Sequence, residues 1–197
     1  MSDTYIYMLG EAVYINLTNR CTNDCIFCVR NEHDGVGGYN LRLTKEPEAN
    51  DIISALEKLP NVEKAVFCGL GEPTMRINAL IAAAKYLKSR GAHIRLNTNG
   101  QGSACAGEDI VPKLAGLIDV ISISLNASSA KEYQRMCQSA FGDLAYSHML
   151  EFAKSCVAHG IDTVMSVVDI IGEEEVEKCR EIARRTGARF RVRKYIS

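Results

Sequence analysis

An α/β fold, its mostly parallel sheet curved around a polar cavity, is what three features of this 197-residue sequence predict. Six strand-like segments alternate with segments of helical period. The stretches between successive strands are long enough for crossovers, which favour parallel neighbours. The strands themselves alternate apolar and polar residues, whereas strands buried on both faces read as continuous apolar runs.

The elements follow in order. Residues 4–9 (TYIYML) can add one antiparallel strand against residues 12–17. Residues 12–19 (AVYINLTN) form the first strand of the parallel set and run into a cysteine-bearing loop. Residues 31–44 are a glycine-rich loop, and 48–60 (EANDIISALEKLP) an amphipathic helix. A second strand spans 63–69 and a helix 77–91. Residues 92–100 make the third strand and its turn, with a short helix over 108–118. The fourth strand is 118–126, followed by a long helical region over 129–159. The fifth strand is 161–169, the last helix 172–187 and the sixth strand 188–196. The carboxylate run GEEEVEK (172–178) fits a helix start, where acids complement the dipole.

This count fits either an open doubly wound sheet or a partial barrel, and the strand faces discriminate. Ile15 and Leu17 oppose Asn16 and Thr18; Ile94 and Leu96 oppose Arg95, Asn97 and Asn99. Ile121, Ile123 and Leu125 oppose Ser122, Ser124 and Asn126; Phe190 and Val192 oppose Arg191, Arg193 and Tyr195. Period-two alternation sends each set to its own side. One side therefore packs on helices while the other lines something polar. A curved sheet around a ligand cavity satisfies that pattern better than a solvent-facing sheet, because the crossovers can all lie on the outer face.

The hydrophobic content of 47% with 24% charged residues is that of a globular chain, long enough to bury a sizeable core. A net charge of −1 does not indicate a nucleic-acid binder. No apolar run reaches membrane-spanning length, and the N-terminal residues lack the pattern of a signal peptide, so a cytoplasmic protein is expected. Of eight cysteines, Cys68, Cys105, Cys137, Cys156 and Cys179 are scattered. In a reducing compartment such residues behave mostly as small buried hydrophobes.

Cys21, Cys25 and Cys28 are different. They lie in NRCTNDCIFCVRN (19–31) with ligand-like spacing directly after the first parallel strand. The same spacing is also one face of a helix, but Asn19, Thr22, Asn23 and Asp24 favour a loop. A structural zinc site needs a fourth ligand, for which His33 is the nearby candidate. An iron–sulfur cluster normally takes four cysteines, so three leave one iron open to another ligand. GLGEPT (69–74) follows the second strand. It reads either as an ordinary turn or as a ligand loop, in which Gly69 and Gly71 allow close backbone approach and Pro73 holds Glu72 extended.

CTNDCIFC resembles the C-x3-C-x2-C signature of the radical S-adenosylmethionine (SAM) superfamily, including Phe27 before the last cysteine. The resemblance covers nearly the whole chain and implies a partial (β/α)6 TIM-like barrel with its active site at the C-terminal ends of the strands. It implies a [4Fe–4S] cluster on Cys21, Cys25 and Cys28, with SAM chelating the fourth iron. Reductive cleavage of SAM then yields a 5′-deoxyadenosyl radical that abstracts hydrogen from a substrate. GLGEPT is similar to the glycine–glycine–glutamate element that binds the SAM amino group, with Leu70 in place of the first glycine. NTNG (97–100), carrying Asn97 and Asn99, is similar to a turn common in the superfamily. Ser124 and Asn126 fall where members contact the ribose and methionine of SAM, and Ser166 near the adenine side. Arg191 and Arg193 suit the SAM carboxylate or an acidic substrate group, or else are charges on a solvated edge strand. Cys137 reads as structural.

Within the superfamily, YINLTNRCTNDCIFCVRN, GLGEPT and RVRKYI look most like the TatD-associated radical SAM proteins, a link that points to a TatD-type hydrolase as functional partner. An electron donor such as flavodoxin or ferredoxin is the other implied partner. A glycyl-radical activase and a deazapurine-synthase-like enzyme are variants of the same reading; an iron–sulfur binding or sensing module is the non-enzymatic one. The expected organisation is one core domain over residues 1–197 without an auxiliary-cluster domain. The loop with His33 and Tyr39 sits where it could cover the cluster.

Overall fold

The computed structural model describes residues 3–195. Strand β1 (Ile6–Leu9) turns back through Gly10 into β2 (Ala12–Ile15), and the two pair antiparallel as the sequence predicts. Within the glycine-rich loop a hairpin of β3 (Gly35–Val36) and β4 (Tyr39–Asn40) forms, which period and composition alone do not reveal. Helix α1 (Ala49–Glu57) follows, opened by a reciprocal capping box between Glu48 and Asp51. Then come β5 (Lys64–Phe67), α2 (Ile77–Ser89), β6 (His93–Thr98) and two short helices, α3 (Gly102–Ala106) and α4 (Val111–Leu114). The predicted helix over 108–118 is thus reduced to α4, and α3 is additional. Strand β7 (Val120–Ser124), helices α5 (Ala130–Cys137) and α6 (Leu144–Ala158), strand β8 (Asp162–Val168), helix α7 (Glu173–Thr186) and strand β9 (Arg189–Arg193) complete the described chain.

The seven-stranded sheet has the order β1-β2-β5-β6-β7-β8-β9, with every pair parallel except β1–β2. It curls. With strands about 4.8 Å apart, β2 and β9 would lie about 24 Å from each other in a flat sheet. Yet Tyr14 of β2, Arg95 of β6 and Arg191 of β9 line one cavity. The inner faces therefore enclose a lumen, as the alternation predicts.

The outward residues of the strands, Ile15, Phe67, Ile94, Leu96, Ile121, Ile123 and Met165, join Ile52, Leu56, Leu80, Leu87, Met149 and Phe152 of the helices in one buried cluster. This is the interface the five crossovers create. Val192 is the exception: it remains 42% exposed on the edge strand, which no crossover covers among the described residues.

Other boundaries also differ from expectation. The first parallel strand stops at Ile15 because Asn16 and Asn19 bond laterally through their side chains: Asn16 Nδ2 donates to the Leu41 carbonyl at 2.7 Å, and Asn19 exchanges bonds with Leu43 at 2.7 and 3.0 Å. The helical region over 129–159 is broken into α5 and α6 at Gln138, which adopts φ 45° in the left-handed region. The last strand ends at Arg193; Ile196, its predicted final residue, lies outside the described residues.

Phe67 is fully buried in the cluster beneath the sheet. Phe67→Ala is expected to destabilise the fold by about 3–5 kcal/mol, the usual cost of emptying a large core site. Urea unfolding followed by circular dichroism measures it; a loss under about 1 kcal/mol would show that this core collapses to fill the gap.

Candidate active site

Where strands β5 to β9 end at their C-terminal edge, a cavity of about 340 Å³ opens. It brings together Cys21, Cys25, Cys28, Phe27, Gly69, Gly71, Glu72, Asn97, Asn99, Ser124, Asn126, Ser166 and Arg193. Pro73 is the exception among the predicted site residues. It is buried but does not line the cavity; with its fixed φ it opens the 3₁₀ turn Pro73–Arg76 that leads into α2. Its contribution is conformational.

The cysteine loop is held by backbone bonds to the end of α5. The Asp24 and Ile26 N–H groups donate to the Cys137 and Met136 carbonyls, both at 3.0 Å, and the Ala140 N–H donates to the Thr22 carbonyl at 2.8 Å. The left-handed Gln138 stops the helix, and its last carbonyls, which lack intrahelical donors, serve the loop instead. Beneath it, Asn23 Nδ2 and Gln101 Nε2 both donate to Tyr133 Oη at 3.0 Å, and Gln101 also donates to Asn23 Oδ1 at 2.9 Å. The sequence marked Asn23 only as a loop former and did not single out Gln101 or Tyr133; the three come from distant segments.

The GLGEPT loop is pressed against the same cysteine loop. A Cβ on Gly71 would lie 2.4 Å from the Thr18 carbonyl oxygen and 2.5 Å from that of Arg20, so only glycine fits. The Glu72 N–H donates to the Arg20 carbonyl at 2.8 Å. The buried Glu72 carboxylate accepts four bonds. Oε1 takes the Thr74 N–H at 3.1 Å, Thr74 Oγ1 at 2.7 Å and Thr98 Oγ1 at 2.8 Å; Oε2 takes the Asn99 N–H at 2.7 Å. Burial nevertheless raises its pKa, outweighing all four donors. A carboxylate short of positive charge, with a spare acceptor direction on Oε2, suits an ammonium.

Asn99 Nδ2 bonds Thr22 Oγ1 at 2.8 Å, tying the third-strand turn to the cysteines. Asn97 faces the cavity with a buried Oδ1 that has no hydrogen-bond partner. Arg193 donates from Nε to Ser166 Oγ at 3.1 Å and from Nη2 to Asn126 Oδ1 at 3.2 Å, fixing its guanidinium in the wall. Burial and then the charge of Arg191 lower its pKa, although the group stays cationic.

Cys137 is fully buried in the core cluster; its sulfur accepts from Asn126 Nδ2 at 3.6 Å. Its hydrogen bond with Cys25, followed by burial, raises the Cys25 pKa. Burial, then the Glu72 charge, pushes the Cys21 thiol up to about 12, and burial raises that of Cys28. His33, the candidate fourth zinc ligand, lines a separate cleft with the β3–β4 hairpin. Among the described residues no three His, Cys, Asp or Glu side chains converge as a site for a single ion. Three thiols spread around one cavity fit a polynuclear cluster, whose irons take separate thiolates. The chemistry of the donor set and the unpartnered Asn97 thus fit a cluster with a small polar molecule beside it.

The model of the Radical SAM superfamily matches residues 15–186. The chain belongs to this superfamily. A radical SAM partial barrel accounts for both the curled parallel sheet and the placement of the cysteine loop at its C-terminal edge. Among solved structures, the SuiB protein of Streptococcus suis bound to S-adenosylmethionine superposes with a TM-score of 0.72 at 18% identity, over 93% of this chain and 40% of that one. A radical SAM methyltransferase from Sphaerobacter thermophilus gives a TM-score of 0.60 at 14% identity, over 96% and 68%. At these identities the likeness is one of fold. In sequence, the chain is 26% identical over 118 residues to a tungsten-containing aldehyde ferredoxin oxidoreductase cofactor-modifying protein of Pyrococcus furiosus, spanning 58% of this chain and 30% of that one. Among the described residues no helix is long and apolar enough to cross a membrane.

The Gly71 contacts generate a direct test. Gly71→Ala must part the GLGEPT and cysteine loops, and is expected to cut iron incorporation on anaerobic reconstitution severalfold while circular dichroism retains the α/β spectrum. Unchanged iron content would show that the two loops do not depend on each other.

Proposed function

We propose that this chain is a radical SAM enzyme that holds a [4Fe–4S] cluster on Cys21, Cys25 and Cys28 and S-adenosylmethionine in the adjoining cavity. The observation that carries it is the meeting, in one cavity at the C-terminal edge of the sheet, of three thiols with the charge-deficient carboxylate of Glu72. When bound, the cluster supplies an electron for reductive cleavage of SAM, the source of hydrogen-abstraction chemistry in this superfamily.

The residues divide the remaining work. Glu72 Oε2 receives the SAM ammonium, and the Arg193 guanidinium, held by Ser166 and Asn126, faces the carboxylate. Asn97, with its unpartnered Oδ1, and Ser124 offer polar contacts for the ribose, and Phe27 packs apolar surface beside the cysteines. Ser166 borders the adenine side. Tyr39 of the β3–β4 hairpin packs against Tyr7, which lines the cavity, so the segment with His33 and Tyr39 borders access from that side.

The finer subgroup reading is the TatD-associated radical SAM family, supported by the motifs YINLTNRCTNDCIFCVRN, GLGEPT and RVRKYI. It brings a TatD-type hydrolase as functional partner and a flavodoxin or ferredoxin as electron donor. A reducing cytoplasm suits both the cluster and the remaining thiols, Cys68, Cys105, Cys137, Cys156 and Cys179.

Anaerobic reconstitution with SAM and a strong reductant is expected to yield 5′-deoxyadenosine, read by mass spectrometry, and Cys25→Ala to reduce it to background. Wild-type protein with a full cluster that neither binds SAM nor cleaves it would leave only an iron–sulfur binding module. Glu72→Gln is expected to weaken SAM binding by tenfold or more, since a hydrogen bond to a charged group is worth about 1.5–3 kcal/mol and about 1.4 kcal/mol is tenfold. Calorimetric titration measures it; unaltered affinity would remove Glu72 from the cofactor site.

A further inference from the structure

A second cavity, of about 510 Å³, occupies the lumen below the first, toward the N-terminal ends of the strands. Ser122 and Arg191 line both, so the two are continuous. The lower cavity is lined by Lys64, His93, Arg95, Arg189 and Arg191, and by no Asp or Glu among the described residues. Two of these cations are already engaged at the rim: Arg189 with Asp162 at 2.5 Å and Lys64 with Glu11 at 3.1 Å. Arg95 and Arg191 form no salt bridge among the described residues. Arg95 reaches only Tyr14 Oη, at 3.4 Å, and its buried Nε has no partner.

These two guanidiniums come from β6 and β9, three strands apart, and face each other only because the sheet curls. Burial and the positive charge of Arg95 both lower the pKa of Arg191. Arg191 is solvent-accessible and Arg95 half-buried with an unpartnered Nε, and like charges drawn to one cavity with no acid in its lining favour an oxyanion beside them. The planar guanidinium forks match carboxylate and phosphate oxygens in bidentate fashion. A combined lumen of this size suits a small molecule.

We propose that Arg95 and Arg191, with Tyr14, form the substrate site of this chain, and that the substrate is a small molecule bearing a phosphate or carboxylate group. The anionic group sits in the lower cavity and directs the remainder of the molecule up past Ser122 toward the cofactor cavity. The role as substrate site rests on the radical SAM reading above; the anion site itself does not. Its neighbours leave Arg193 to the cofactor and Arg191 to the substrate.

The probes are inorganic phosphate and malonate, titrated calorimetrically into reconstituted protein without SAM at constant ionic strength in chloride. One of them is expected to saturate a single site, and the tighter one names the head group. Arg95→Gln and Arg191→Gln are each expected to weaken that binding at least tenfold, with Arg95→Lys retaining part of it; iron content and thermal melting report on folding. A measurement on wild-type protein alone guards against variants that fail to fold. The bound anion should slow phenylglyoxal modification of Arg95 and Arg191, read by peptide mass spectrometry, without protecting the rim residue Arg189. Absence of saturable binding by either anion, or binding that neither variant weakens and that protects neither arginine, would overturn the proposal. Failure of SAM cleavage alone would instead overturn the enzyme reading and leave the anion site standing.

Discussion

The buried carboxylate of Glu72 is the constraint on which the site depends. Glu72 closes three separate pieces of chain around itself: through its carboxylate, its own loop at Thr74 and the end of β6 at Thr98 and Asn99, and through its backbone N–H, which donates to the Arg20 carbonyl, the cysteine loop. Burying a charged carboxylate is costly unless donors surround it. Four donors are present, and burial still dominates its pKa. Glu72 is thus both a fastener for the cavity wall and a group that gains from a cation beside it. Gly71, one residue earlier, makes the arrangement sterically possible by leaving no Cβ between the two loops.

The walls of the cavity are loops, and loops need partners for backbone groups that no ladder satisfies. Here side chains and helix ends supply them. Asn16 and Asn19 bind the backbone at Leu41 and Leu43, and the carbonyls of Met136 and Cys137 at the interrupted end of α5 receive the N–H groups of the cysteine loop. The break at Gln138 is therefore coupled to the site: a continuous helix through 129–159 would have spent those carbonyls on its own turns. The outcome is a cysteine loop fixed on one side by α5 and on the other by the GLGEPT turn, with the thiols presented between.

Charge is segregated inside the barrel far more than the net value of −1 conveys. The exposed faces of α5 and α7 carry paired acids and bases, such as Arg135 with Glu132 and Glu181 with Arg184 and Arg185, which are worth little individually in water. The lumen instead collects arginines from strands far apart in sequence. Curvature of the sheet is what concentrates them.

The sequence by itself determined the periodic part of this protein. Alternation along strands such as 120–124 separates a core face from a lumen face, and the crossovers put the strands parallel; both are local consequences of backbone geometry. The cysteine spacing and GLGEPT were legible because neighbouring residues carry them, as was the placement of most site residues on strand ends. What local sequence does not encode is which distant segments share a hydrogen bond. The Asn23–Gln101–Tyr133 network, the interruption at Gln138, the shortened first strand and the turning of Pro73 away from the cavity all depend on partners 24 or more residues away or on packing between loops. The meeting of Arg95 with Arg191 depends on the curl of the whole sheet. Those features were decided only in the tertiary structure, because a period reports which face a residue occupies and never what stands opposite it.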